Sequence, residues 1–338
     1  MKRILIAGGA GFLGSHLSER LVGRGHTVIC VDNFRTGSRA NISHLLCHPH
    51  FRFVEHDVTR PLSVSGQVDE IYNLACPASP PHYQRDPRYT VMVNVLGIAN
   101  LLDLAKHKKA RLLQASTSEV YGDPLNEEQT ESDWGNVNCT GPRACYDEGK
   151  RCAESLLFDA WRLYEQPIKV ARIFNTYGPR MDENDGRIVS NFITQALNHQ
   201  PMTVYGDGSQ TRSFCYVDDM VDGLIRLMES PPNVTGPINL GNPEELTVLR
   251  VAHRVAALLD MKPNIVLRPL PTDDPRRRRP NIARAQALLG WKPTTSLDVG
   301  LARTIACFRS RIAGPVAVAK ALQREKIVSI DVARAARA

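Results

Sequence analysis

The sequence predicts an α/β chain: a parallel sheet covered by helices on both faces, with a smaller, partly helical lobe beside it. Three observations carry this. Short apolar runs alternate with helical spacings through the first half. A glycine-rich turn joins the first such run to the first helical pattern. The 338 residues amount to about two domains at roughly 150 residues each.

The first strand is read at 3–7, followed by glycines and a helix over 12–22 with Phe12, Leu13, His16, Leu17 and Leu21 at helical spacing. The β-branched run 27–31 ends on Asp32 and reads as the second strand. Further strands are read at 51–54, 70–75, 111–116 and 168–174, with helices at about 88–108 and 146–164. Beyond these the pattern is less regular. Strands at 202–205 and 237–240 flank a helix near 218–229. Helices near 247–260, 281–289 and 297–311 follow, and 262–280 is rich in Pro and Arg. This divides the chain into a sheet domain over 1–178 to which 214–240 returns, a lobe over 179–213 and 241–312, and a tail over 313–338 read as a loose helix or disordered.

Composition narrows the functional classes. Apolar residues make up 43% and charged residues 23%, as in ordinary globular proteins, which excludes collagen-like and disulfide-dense classes. A net charge of +7 favours an anionic partner: nucleic acid, an acidic membrane surface or a phosphorylated small molecule. No stretch approaches the roughly 20 apolar residues of a membrane span, and the apolar start is too short for a signal peptide. Eight cysteines without CxxC pairs read as reduced thiols of a cytoplasmic protein, with no metal site.

Gly8, Gly11 and Gly14, with Phe12 and Leu13 between them, form a GxxGxxG turn between strand and helix. The chemistry needs a tight turn, close backbone approach to a pyrophosphate and close helix–strand packing, with the helix N-terminus facing the phosphates. Asp32, followed by Asn33 and Phe34, lies 18 residues after Gly14, where a carboxylate accepts ribose hydroxyls and repels a 2′-phosphate. The pattern is therefore a Rossmann-type, doubly wound dinucleotide site with NAD preferred, although Arg35 and Arg39 stand close behind. Asp57 and Val58 end the third strand. Asp57 either meets the adenine amino group or caps a turn. Leu74 and Ala75 end the fourth strand, where small residues let backbone pass beneath a cofactor.

Tyr146 and Lys150 stand at i, i+4 on one helix face. An ammonium beside a phenol favours phenolate and lets the Tyr act as a base near neutrality. A lone YxxxK is common, but this one follows a dinucleotide turn and a hydroxyl-rich strand end, Ser116, Thr117, Ser118 and Glu119. Hydroxyl, phenol and ammonium form a unit for moving a proton while NAD takes a hydride.

With these residues in hand, residues 1–312 resemble the extended short-chain dehydrogenase/reductases that act on nucleotide sugars. Within that group they are similar to the UDP-glucuronic acid decarboxylase family. The resemblance rests on NLACPASPP at 73–81, STSEVYGDP at 116–124, GPRACYDEGKR at 141–151, ARIFNTYGPRM at 171–181 and QTRSFCYV at 210–217. It implies a cycle without net redox change. Tyr146 takes the proton from the sugar 4-hydroxyl, C4 is oxidised by NAD⁺, CO₂ leaves the 4-keto sugar, and reduction gives UDP-xylose.

The resemblance also implies roles for single residues. Thr117 lies near O4, Ser118 and Glu119 near the carboxylate, and Arg278 assists decarboxylation, with Arg277 as the alternative register. Arg212 holds the diphosphate, Asn175 and Val189 the substrate, and Tyr205 lies near the uridine. Asn100 and Lys106 belong to the substrate set, and Thr176 and Arg187 stand beside the cofactor. Relatives form dimers through two long helices, which the segments 88–108 and 146–164 suit.

Two features separate close chemistries. Sugar 4,6-dehydratases carry an Asp acid where this chain has Ser118, which argues against dehydration. Met92 and Val93 stand where relatives often carry Lys-Thr, so a cation near the substrate is lost. A 4-epimerase, or an oxidative decarboxylase that releases the 4-keto pentose, stays open. A nucleic-acid binder using Arg276–Arg279 is the alternative of a different class; it lacks aromatic interleaving and a reading motif.

Overall fold

The computed structural model describes residues 1–270, 278–312 and 314. Strands in chain order are β1 (Arg3–Ala7), β2 (Thr27–Asp32), β3 (Phe51–Glu55), β4 (Glu70–Asn73), β5 (Arg111–Thr117), β6 (Ile168–Ile173), β7 (Thr176–Tyr177), β8 (Met202–Tyr205), β9 (Thr211–Ser213), β10 (Cys215–Tyr216), β11 (Ile238–Leu240), β12 (Glu245–Thr247) and β13 (Ile265–Arg268). Helices are α1 (Phe12–Gly23), α2 (Arg39–Ile42), α3 (Pro80–Arg85), α4 (Pro87–Lys108), α5 (Ala144–Tyr164), α6 (Ile188–Leu197), α7 (Val217–Glu229), α8 (Val248–Leu258) and α9 (Ala283–Leu289). Residues 297–312 are also helical.

The central sheet runs β3-β2-β1-β4-β5-β6-β11, and every pair in it is parallel. Parallel strands are buried on both faces, so their sequences read as continuous apolar runs. In β1, Ile4 and Ile6 enter the core under α1 and α7, while Leu5 and Ala7 enter the core under α4 and α5. The strand order reverses between β1 and β4, the switch point at which such sheets bind ligands beyond the carboxyl ends of their strands.

Caps set the long helices. Pro87 opens α4, and the Asp86 side chain accepts from Tyr89 N; α4 and α5 end on Lys109 and Glu165 in the left-handed region. The chain returns to the sheet through α7 and β11. Beside it, β8 pairs with β13, β9 with β12, and α6 packs on α8.

The structure adds elements that the periodicity does not show. The helix α6, the short helix α3, and the strand β13 inside the Pro/Arg-rich stretch were not expected. The fourth strand stops at Asn73 rather than 75, and α9 starts at Ala283 rather than 281. Arg276, Arg277 and, apart from residue 314, the tail over 313–338 lie outside the described residues.

Candidate active site

A cavity of about 850 Å³ opens at the carboxyl ends of β1 to β6. Its floor is the β1–α1 turn. A Cβ on Gly14 would stand 2.1 Å from the Gly8 carbonyl oxygen. One on Gly8, at φ +77°, would stand 2.7 Å from the Leu74 carbonyl carbon. Bare backbone therefore forms this wall, as close approach to a pyrophosphate requires. Gly11 caps α1 with no side-chain hydrogen bond, and the first turn carries no acidic residue, so the helix N-terminus favours an anion. The residues fit a dinucleotide.

Asp32 is buried, and its carboxylate accepts from Ala10 N at 2.9 Å and Phe34 N at 2.8 Å. Burial raises its pKa, and these amides offset part of that rise. Arg35 is committed to Asp86 at 2.6 Å and lies 3.9 Å over the Tyr89 ring, so the carboxylate governs the ribose end.

Gly8, Gly11, Phe12, Leu13, Gly14, Asp32, Asn33, Val58, Leu74, Ala75, Thr176 and Arg187 all line the cavity. Phe34 and Asp57 do not. Phe34 stacks on Phe53 at 4.9 Å. Asp57 accepts from the Thr59 amide and hydroxyl, Asn33 and Tyr89, and so caps the turn after β3.

The catalytic set converges. Tyr146, Lys150, Thr117, Ser118, Glu119 and Arg278 are all buried and line one wall. The Thr117 hydroxyl lies beside the Tyr146 phenol and favours its ionised form. Lys150 donates to the Ala115 carbonyl at 2.8 Å, and its Nζ lies 5.8 Å from the Tyr146 ring centre. Lys150 does not set the direction of the Tyr146 pKa. Burial dominates and raises Tyr146, while Lys150 is itself lowered by burial.

Glu119 sits in the short 3₁₀ turn after β5 and binds Arg278 through both carboxylate oxygens; Arg143 joins it at 2.8 Å. Burial alone would raise Glu119, but the two guanidiniums overcome it and hold the carboxyl below its usual range. Sequence reasoning missed Arg143. Its signal was the i−3 spacing to Tyr146, one helical turn earlier. Tyr83, stacked on Tyr146 at 5.1 Å and 6°, had no local signal.

Among substrate residues, Asn175, Val189, Arg212 and Arg278 line the cavity, and Tyr205 lies at its mouth, 41% exposed. Asn100 and Lys106 do not line it, which corrects that expectation. Asn100 donates to the Val58 carbonyl at 2.8 Å, and Lys106 stands 4.6 Å over the Tyr164 ring. Of α4, Tyr89 and Val93 near its start line the cavity. Lys106 is 13 residues beyond Val93, about 20 Å further along the helix at 1.5 Å per residue. Arg187 pairs with Asp185. Arg278 and Arg279 are both engaged, the latter with Glu128 at 3.0 Å, so the described part of the basic run is no free cationic patch.

Residues 4–241 match the family model of the NAD dependent epimerase/dehydratase family, and the chain belongs to that family. UDP-glucuronic acid decarboxylase 2 of Arabidopsis thaliana is 54% identical over 312 residues, 92% of this chain and 69% of that protein. UDP-glucuronic acid decarboxylase 1 of Danio rerio is 53% identical over 91% of this chain and 72% of its own length. The crystal structure of UDP-glucuronic acid 4-epimerase from Bacillus cereus, in complex with UDP-glucuronic acid and NAD, superposes with a TM-score of 0.82. It is 27% identical, covering 91% of this chain and 99% of that one. The cofactor of the site is NAD.

Proposed function

We propose that the chain converts UDP-glucuronate to UDP-xylose and CO₂ and recycles its bound NAD. The observation that carries this is the buried Glu119–Arg278–Arg143 cluster on the same cavity wall as Tyr146, Thr117 and Lys150, in a chain whose relatives share that activity in their names. Bound NAD supplies the two-electron couple at the sugar's C4 and a positive ring charge that favours the Tyr146 phenolate.

The chain's own groups do the rest. Tyr146 Oη takes the proton of the 4-hydroxyl, and the Thr117 hydroxyl orients it. Lys150, fixed on the Ala115 carbonyl, places a cation beside the phenol. A ketone at C4 is β to the carboxyl group, so the electrons of the breaking C–C bond enter an enolate and CO₂ leaves; a proton returns to C5, and when C4 is reduced Tyr146 gives the O4 proton back. The guanidiniums of Arg278 and Arg143 offer forked donors for the carboxylate and the developing charge. Arg212 offers the same fork to the diphosphate. Ser118 lacks the acidity to expel a 6-hydroxyl.

Two companion readings belong here. A homodimer through α4 and α5 is supported by the exposed Met92, Leu96, Trp161, Leu163 and Tyr164 on those helices. Cytoplasmic residence is supported by eight free cysteines. Among the described residues, no helix is long and apolar enough to cross a membrane.

Product analysis by mass spectrometry tests the activity. UDP-xylose without accumulating NADH is expected. UDP-galacturonate would make the chain a 4-epimerase, a 4-keto pentose with matching NADH an oxidative decarboxylase, and unchanged substrate would end the proposal.

A further inference from the structure

Asp147 follows Tyr146 in the first turn of α5 and has no part in the chemistry above. It does not line the cavity, yet it is buried, and its Oδ1 has no hydrogen-bond partner. A buried ionised carboxylate with an unsatisfied oxygen is costly. The N-terminal turn of a helix would favour the ionised form. Here burial outweighs that, and the charge of Glu119 adds to it, while Arg143 and Arg278 oppose it; the carboxyl is pushed up to about 7. The titratable and charged groups around it are Glu119 on the turn after β5, Arg143 before α5, Arg278 on the segment at 278–280, Tyr83 on α3, and Cys145, Tyr146 and Glu148 on its own helix.

The cluster of Glu119, Arg143 and Arg278 carries one net positive charge, which matches a single substrate carboxylate. An ionised Asp147 would cancel it. We propose that Asp147 is a positioning residue of the carboxylate subsite: protonated, it leaves the arginine pair one charge in excess, and binding of the substrate carboxylate draws a proton onto it. The proposal rests on the decarboxylase reading.

Linkage fixes the sign. Asp147 is neutral at low pH and ionises as pH rises through the neutral range, so affinity for UDP-glucuronate is full below that range and declines above it. Each unit by which the bound carboxylate raises Asp147 is a tenfold change in affinity between the two limits. UDP-xylose, which has no sugar carboxylate and no terminal phosphate that titrates in this range, escapes the effect.

The test is calorimetric titration of NAD-loaded protein with UDP-glucuronate and with UDP-xylose from pH 6 to 8.5, in buffers of different ionisation enthalpy. Tyr146→Phe blocks turnover during the titrations. We expect proton uptake and an affinity decline of about tenfold with UDP-glucuronate, both abolished by adding Asp147→Asn, restored by Asp147→Glu, and absent with UDP-xylose. Uptake that persists in Asp147→Asn, or appears equally with UDP-xylose, overturns the proposal. Should Asp147→Asn fail to fold, the contrast between UDP-glucuronate and UDP-xylose in the parent still decides it. If the wild-type chain decarboxylates UDP-glucuronate but binding takes up no proton, this inference alone falls. If UDP-glucuronate is neither bound nor converted, both readings fall.

Discussion

Two glycines of α1 should respond to the same substitution with opposite sign. Gly14→Ala places a Cβ 2.1 Å from the Gly8 carbonyl oxygen and 2.7 Å from Gly9 Cα, where real Cβ atoms do not approach within 3.0 Å. The neighbours are backbone, so the turn or the start of α1 must move by about 0.9 Å, the gap between the first and last of those distances. Overpacking of this kind costs about 1–3 kcal/mol. If the turn opens, the cost falls on NAD affinity, with an upper limit of roughly a hundredfold at 1.4 kcal/mol per tenfold. If the turn holds, the cost falls on thermal stability. Gly23→Ala meets nothing within 4 Å and should be neutral or stabilising by about 0.5–1 kcal/mol. The assay is NAD titration by calorimetry beside thermal melts of both variants. Gly14→Ala binding NAD within twofold of the parent, with an unchanged melting temperature, would refute the reasoning.

Tyr146→Phe should slow turnover by roughly a hundredfold to ten-thousandfold and leave the melting temperature nearly unchanged, as single-turnover product analysis and a thermal melt will show. Asn100→Ala and Lys106→Ala should leave KM for UDP-glucuronate within twofold, because neither side chain lines the cavity; a tenfold rise in steady-state KM would restore the sequence-based assignment. Lys169→Met should act on stability alone. Its ammonium donates to Ser230 O, Ser230 Oγ, Pro231 O and Val234 O at 2.6–3.2 Å. Leaving these acceptors without their charged donor should cost about 2–4 kcal/mol, read as a lower melting temperature at constant kcat.

Features set by near neighbours in the chain were readable in advance. The β1–α1 turn needs glycine at fixed offsets, and Tyr146 and Lys150 share a face because a helix puts i and i+4 together. Asp32 ends an apolar run and so falls at a strand end. What escaped depends on distant chain. Arg278 meets Glu119 across 159 residues; the motif resemblance gave each a role at the substrate carboxylate, but nothing in the sequence paired them. The stack of Tyr83 on Tyr146 joins two short segments with no shared period. The helix 88–108 was correctly read as one element, yet its length, which carries Lys106 away from the cavity, was not used when Lys106 was assigned to the substrate. The phenol of Tyr146 shows the same limit in energetic form: adjacency of Lys150 is visible in sequence, but depth of burial is not, and burial decides the direction.

The two backbone bonds of Asp32 have a consequence for coenzyme engineering. Its carboxylate faces the ribose end of the cavity and, through Ala10 N and Phe34 N, also holds the glycine turn and the chain after β2. Replacing it to admit a 2′-phosphate would release both amides at once, loosening the phosphate cradle while removing the repulsion. A switch to NADP in this scaffold would therefore require a new acceptor for those amides along with a new cation, and a single substitution at Asp32 should yield an enzyme poorer with both coenzymes.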